Sequence, residues 1–345
     1  MATHYQQIEH QTGLIIFPDD TTTAVPTTNN NNVVIAATAT PNLPPAVIKA
    51  LRGLRDNNPS LQRKLNHGID NNNSSSSMMD ESLSYWNRYQ EMVILSPDNN
   101  ELIGVNLGGL MVRLVNCVPF FQVIEDEKMT SLTTINFGGT DVGMDNLLEG
   151  VKLLSEDTKA TIHGLYLGGC GIGCRKGTDH LKQVLELLSK NIQTLDLRYN
   201  DLEGKDLEDL ETALSSASNL KILHLEGSVG KCQGAAAIGK VLAATNTNLK
   251  ELYLGANQIG TTGAKSLAEG LRNNTCLEKL YLEGNSIGDE GAIALRDVLL
   301  DQRSRQCKVL EHLYVDNNGL GKEAATTLGR AVNSETMIDG SLFDG

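Results

Sequence analysis

From about Leu102 onward, the apolar residues follow two alternating periods. Short segments such as LKELYL, beginning at Leu249, alternate apolar and polar positions, the signature of a strand with one buried face. Each is followed by a stretch with the spacing of a one-sided helix. Ala264, Leu267, Ala268 and Leu271 fall at i, i+3, i+4 and i+7, and Ala292, Leu295 and Leu299 hold the matching places one copy later. The combination recurs as LTTINFGGTDV from Leu132, IHGLYLGGCGI from Ile162, IQTLDLRYNDL from Ile192, LKILHLEGSVG from Leu220, LKELYLGANQI from Leu249, LEKLYLEGNSI from Leu277 and LEHLYVDNNGL from Leu310. These starts are 30, 30, 28, 29, 28 and 33 residues apart, and LIGVNLGGLMV from Leu102 fits one step earlier in degenerate form. One unit is a short strand, a turn and an amphipathic helix. No unit can bury its apolar face alone, so neighbours must stack and cover one another. Parallel strands stack about 4.8 Å apart, whereas packed helices need roughly 8–10 Å. The predicted fold is therefore an α/β solenoid of seven to eight units, with parallel strands on the concave face and helices on the convex face.

Residues 1–100 have a different character. Asn29 to Asn32 and Asn71 to Asn73 are asparagine runs and Ser74 to Ser77 is a serine run, tracts too polar to offset the entropy of ordering. This region is expected to be largely without fixed structure, with the repeat domain running from 101 to 345. Two exceptions stand out. Val47, Ile48, Leu51 and Leu54 predict a short helix within 45–66, where prolines sit at a helix start. Leu83, Trp86, Tyr89 and Val93 could share a helix face within 83–95, although Met92 to Leu95 suits a short strand equally well.

Every copy fits L-x-x-L-x-L-x-x-N/C-x-L, the leucine-rich repeat pattern. Its ninth position holds Asn200, Asn257, Asn285 and Asn318, with Thr140, Cys170 and Ser228 as substitutes. A side chain there must satisfy backbone groups in a tight turn leaving the sheet, which is a structural role. The copy from Leu220 departs most, with Ser228 and Gly230 at the asparagine and leucine positions, and a local distortion is expected. The 28- and 29-residue copies, and phrases such as NLKELYLGANQIGTTGAKSLAEGLRNNTCLEKLYLEGNSIGDEGAIAL, resemble the ribonuclease-inhibitor-like class. That class includes ribonuclease inhibitor, NOD-like receptor repeat arrays and Ran GTPase-activating protein. The resemblance covers Leu132 to about Val332 and implies a βα horseshoe. It does not name a partner, because the class binds many unrelated proteins.

Charge narrows the function. A net charge of −13 disfavours nucleic acid and anionic membranes as partners, since both need basic groups to displace counterions. The first twenty residues lack a basic start and an apolar run, and six cysteines without an export signal read as reduced thiols. A cytoplasmic location, a monomer, and no metal or cofactor are expected. Cys170 and Cys174 lack further ligands at suitable spacing, with only His163 and His180 nearby. The glycines at 169, 171, 173 and 177 miss dinucleotide-loop spacing, and no phosphate-loop motif, nucleophile elbow or HExxH helix is present.

What remains is the strand face. Its fifth-position column reads Asn136, Tyr166, Asp196, His224, Tyr253, Tyr281 and Tyr314, and its seventh reads Gly138, Gly168, Arg198, Glu226, Gly255, Glu283 and Asp316. Glu251 lies in the third. Four tyrosines beside carboxylates have the makeup of a non-catalytic face that docks a protein, with a basic partner favoured. The competing reading is that tyrosine here is only a good strand former packed on its neighbours. Arg198 is the only arginine in the three inner columns. It would be the residue to test if the chain acted as the Ran-type GTPase-activating protein does. Ribonuclease inhibition is a third alternative, against which six cysteines are few.

Overall fold

The computed structural model describes residues 43–66, 92–96, 101–173, 175–244, 248–304 and 310–332. The expected low-complexity tracts at 29–32 and 71–77, and residues 83–91 of the second candidate helix, lie outside them.

The strands β2 (Leu102–Asn106), β4 (Thr134–Asn136), β6 (Gly164–Tyr166), β7 (Thr194–Asp196), β8 (Ile222–His224), β9 (Glu251–Tyr253), β10 (Lys279–Tyr281) and β11 (His312–Tyr314) form one parallel sheet in chain order. Register is kept throughout: Leu223 pairs with Leu252, Leu252 with Leu280, and Leu280 with Leu313. In-register pairing puts equivalent positions of successive units into columns. Fourth- and sixth-position side chains such as Leu252, Leu254, Leu280 and Leu282 are fully buried. The degenerate copy at Leu102 joins in the same frame, Gly104 opposite Thr134, so it is the first strand–turn unit of the array.

The return layer consists of α3 (Val118–Asp126), α4 (Met144–Leu153), α5 (Glu156–Thr161), α6 (Arg175–Leu188), α7 (Gly204–Ser216), α8 (Lys231–Ala243), α9 (Gly260–Leu271), α10 (Gly288–Ser304) and α11 (Lys322–Ala331). The predicted stripes face the core: Ala264, Leu267, Ala268 and Leu271 on α9, and Ala292, Leu295 and Leu299 on α10, are buried. Each fully buried leucine stabilises by about 1.5–3 kcal/mol, so the stacked leucine columns dominate the favourable side of folding.

Two helices, α1 (Pro45–Asp56) and α2 (Pro59–Asn66), and an edge strand, β1 (Val93–Leu95), belong to the same packed unit as the repeats. Val47, Ala50, Leu51, Leu54 and Leu61 are buried, Lys49 pairs with Glu127 on the turn after α3 at 2.6 Å, and a Cβ on Gly53 would meet the Pro119 carbonyl at 3.2 Å. Asn58 is fully buried and donates to the Leu54 and Asn116 carbonyls while accepting from the Asn116 amide. β1 runs antiparallel to β2 and covers the open edge of the sheet. An unfinished repeat exposes a leucine face, and these elements close it. A further two-stranded ribbon pairs β3 (Arg113–Leu114) with β5 (Asp141–Val142).

The ninth-position side chains do the work the pattern assigns them. Asn285 Nδ2 donates to the Leu254 and Leu282 carbonyls, and its Oδ1 accepts from the Asn257 and Ile259 amides. Asn257 does the same for Ser228 and Val229, and Asn318 for Asn285 and Ile287. Ser228 fits because its hydroxyl accepts from the Asn200 amide and donates to the Leu197 carbonyl. The distortion sits in this copy: Val229 is buried one residue earlier than Ile259 or Ile287 in theirs, and Gly230 and Lys231 both turn left-handed. A Cβ on Gly230 would fall 2.1 Å from the Gly204 amide nitrogen, so only glycine fits.

Candidate functional site

Alternation turns the third, fifth and seventh positions of each strand away from the leucine core, and the parallel register stacks each column. In the fifth column this makes a continuous pile of rings. His224 lies on Tyr253 with centroids 4.2 Å apart, Tyr253 on Tyr281 at 4.1 Å, and Tyr281 on Tyr314 at 4.4 Å, with interplanar angles of 20°, 8° and 4°. These separations are shorter than the ~4.8 Å between strands, as side chains converging on the inside of a curve should be. Tyr253, Tyr281 and Tyr314 stay part-exposed, while His224 is only 9% exposed. The ring faces thus pack on their neighbours, as the strand-former reading expects, while each of these three tyrosines keeps part of its surface exposed. Tyr166 stands outside the pile, separated from it by Asp196.

Several predicted charges are already engaged. Asp196 is 4% exposed, and its carboxylate takes the Arg198 backbone amide at 3.1 Å and the Arg198 guanidinium at 2.8 Å. Burial opposes the charge on Arg198, but Asp196 outweighs that and raises its pKa. The arginine that a GTPase-directed mechanism would use is thus tied to its own sheet. Glu251 accepts from the Tyr253 hydroxyl at 2.7 Å and pairs with Lys279 at 2.9 Å. Burial and then this bond to Glu251 push the Tyr253 phenol up, and burial raises Tyr281 and Tyr166 as well.

The seventh column differs. Glu226 reaches His224 Nδ1 with one oxygen at 3.4 Å, while its Oε2 is buried without a hydrogen-bond partner. Glu283 is pushed up to about 7, first by burial and then by the neighbouring Asp316 and Glu226 carboxylates, against the pull of its own backbone amide. Between Glu226 and Glu283 lies Gly255, which puts no side chain into the gap.

Sequence reasoning missed Tyr199, 54% exposed in the eighth position. That column is left-handed in all seven copies (Gly139, Gly169, Tyr199, Gly227, Ala256, Gly284 and Asn317) and glycine fills four of the places. An aromatic residue holding φ 55° there is strained, and it packs over Gly227, where a Cβ would lie 2.8 Å from its ring. The recurring glycines were the signal that could have exposed it.

Among the described residues, no group of three or more His, Cys, Asp or Glu side chains is placed to hold a metal ion, and no helix is long and apolar enough to cross a membrane. Cys170 is buried against the Phe137 carbonyl, and burial pushes its thiol up to about 12, while Cys174 lies outside the described residues.

Residues 188–210, 245–268 and 273–295 match the family described as Leucine Rich repeat. These segments span the helix-to-strand junctions and the β9 and β10 units, so the chain carries leucine-rich repeats within the solenoid its own strands and helices define. Among solved structures it is similar to the leucine-rich repeat-containing protein LegL7 from Legionella pneumophila (18% identity over 63% of this chain and 77% of that one, TM-score 0.39). It is also similar to a Bacteroides fragilis protein (17%, 66% and 70%, TM-score 0.40) and to an internalin, inlF, from Listeria monocytogenes (16%, 82% and 90%, TM-score 0.33). No curated protein sequence matches the chain.

Proposed function

We propose that the chain is a non-catalytic interaction module that docks a protein partner, with basic surface, on the strand face of its leucine-rich repeat array. The observation that carries this reading is the ring pile of His224, Tyr253, Tyr281 and Tyr314 beside Glu226, Glu283 and Asp316. Stacking holds the rings without any partner, so their exposed edges are already ordered and little entropy is lost when they are covered. The carboxylates at their flank speed encounter with a cationic surface and fix its orientation.

The test compares proteins captured from cell extract by the full chain and by two variants. Tyr281→Phe with Tyr314→Phe keeps the stacking and removes only hydroxyls, and is expected to lose the captured partner at unchanged melting temperature. Lys265→Ala with Lys240→Ala alters the helix face and is expected to keep it. Capture that survives the strand-face change but not the helix-face change would move the docking surface to the other side.

A further inference from the structure

Each unit holds the next through a fixed set of backbone donors. The sixth-position amide of a strand donates to the fifth-position carbonyl of the following one: Leu225 to Tyr253 at 2.9 Å, Leu254 to Tyr281 at 2.8 Å and Leu282 to Tyr314 at 2.8 Å. The eighth-position amide donates to the next seventh-position carbonyl, as from Ala256 to Glu283 and from Gly284 to Asp316, both at 2.8 Å. At the turn, the Asn285 side-chain oxygen takes the amides of Asn257 and Ile259, and that of Asn318 takes those of Asn285 and Ile287. β11 is the outermost strand of the sheet. In its unit the same four places belong to the amides of Val315, Asn317, Asn318 and Leu320, which have no acceptor among the described residues. Folded chains satisfy nearly all such donors, so four along one edge call for an acceptor strand. The other edge of the sheet is already covered, where β1 pairs with β2. Along β11 and its turn, Glu311, Asn317, Gly319 and Gly321 are exposed, so the edge can be reached from solvent.

We infer that this edge takes a strand from a partner protein: an extended segment that adds parallel to β11, with apolar, aromatic and apolar residues at its fourth, fifth and sixth places and asparagine at its ninth. Continuing the interface between units sets each requirement. The apolar residues extend the buried columns that end in Leu313 and Val315. The aromatic ring stacks on Tyr314 as Tyr314 stacks on Tyr281. The asparagine oxygen takes the Asn318 and Leu320 amides, as Asn318 takes those of the unit before it. A second copy of this chain fits less well. Head-to-tail stacking is blocked, because α1 and β1 close the edge that would have to meet β11. Antiparallel pairing of two β11 strands about Tyr314 sets Leu310 opposite Asn318, which brings no side-chain oxygen to the turn. This surface is the backbone edge of the sheet, and it lies beyond the side-chain face of the docking reading.

The probe is the peptide LEKLYLEGNSI, a copy of residues 277–287, added to the full chain while amide hydrogen exchange is followed residue by residue. It is expected to slow exchange at Val315, Asn317, Asn318 and Leu320 about tenfold or more, and to leave β2 unchanged. Methylating the amide nitrogen of the peptide's tyrosine, which points at β11, is expected to weaken binding roughly tenfold. Replacing its asparagine by alanine is expected to do the same, whereas methylating the next leucine amide, which points away, should change little. These changes are confined to the peptide and leave the fold of the protein untouched. Unchanged exchange overturns the inference, as does equal binding by the peptide methylated at tyrosine. Slow exchange at the four amides before peptide is added overturns it too. If that slowing is independent of protein concentration, another segment of this chain, such as residues 333–345, holds the edge; if it grows with concentration, a second copy does. The docking reading is tested apart from this, since Tyr281→Phe with Tyr314→Phe removes hydroxyls and leaves the backbone edge intact.

Discussion

Asn285 serves the backbone of two adjacent units at once, donating to the Leu254 and Leu282 carbonyls and accepting from the Asn257 and Ile259 amides. Asn285, Leu254 and Leu282 are fully buried, and Asn257 and Ile259 are buried as well. Asn285→Ala leaves those carbonyls and amides without partners, and a loss of about 3 kcal/mol or more in denaturant unfolding is expected. A loss below 1 kcal/mol would mean that water replaces the amide. Glu283 makes the opposite case. Its folded pKa is raised to about 7, so its contribution to stability is complete below the ordinary glutamate range and is lost as pH rises through about 7. Glu283→Gln is expected to raise unfolding free energy at about pH 8 by on the order of 2 kcal/mol, and to change it little at about pH 5. Equal effects at both pH values would place the cause in packing. The asparagine column was legible in the sequence because its spacing repeats with the leucines. The Glu283 environment was not, since it depends on Glu226 and Asp316 being brought alongside by neighbouring strands.

Between elements, glycine sets how closely helices approach. A Cβ on Gly270 of α9 would sit 2.1 Å from the Gly239 carbonyl oxygen of α8, and one on Gly239 would sit 2.6 Å from the Ser266 carbonyl oxygen. Backbone meets backbone there. Gly270→Val is expected to force the pair apart and cost about 1–3 kcal/mol in a denaturation series, whereas a gain would show that the helices have slack. Strands and helices were readable from Leu102 onward because their two periods repeat. The role of Leu43–Asn66 was not. Val47, Leu51 and Leu54 announced a helix, but α3, on which it packs, lies some sixty residues away in a segment with no repeat phrase of its own. The same distance hid the ring pile: a column of tyrosines can be read off, yet whether the rings stack depends on register. The Asp196–Arg198 pair was open to inference, since residues two apart on a strand share a face.

Across the whole array, each unit contacts mainly the units beside it, so stability is close to a sum of unit and interface contributions and the ends matter most. At the amino-terminal end, α1 and β1 stand in for a missing neighbour. Leu54→Ala, at a position fully buried beneath α3, is expected to cost about 2–5 kcal/mol. It should also speed amide hydrogen exchange in β2 and β4 before β9 or β10. Uniform acceleration along the chain would show instead that the array opens as one cooperative block. The stacked aromatic column reports on this directly. Four rings held nearly parallel at 4.1–4.4 Å couple their electronic transitions, so their near-ultraviolet circular dichroism records whether strands β8 to β11 remain aligned. The carboxyl-terminal half of the sheet thus carries an intrinsic optical label, through which its melting can be followed separately from the helical signal of the whole chain.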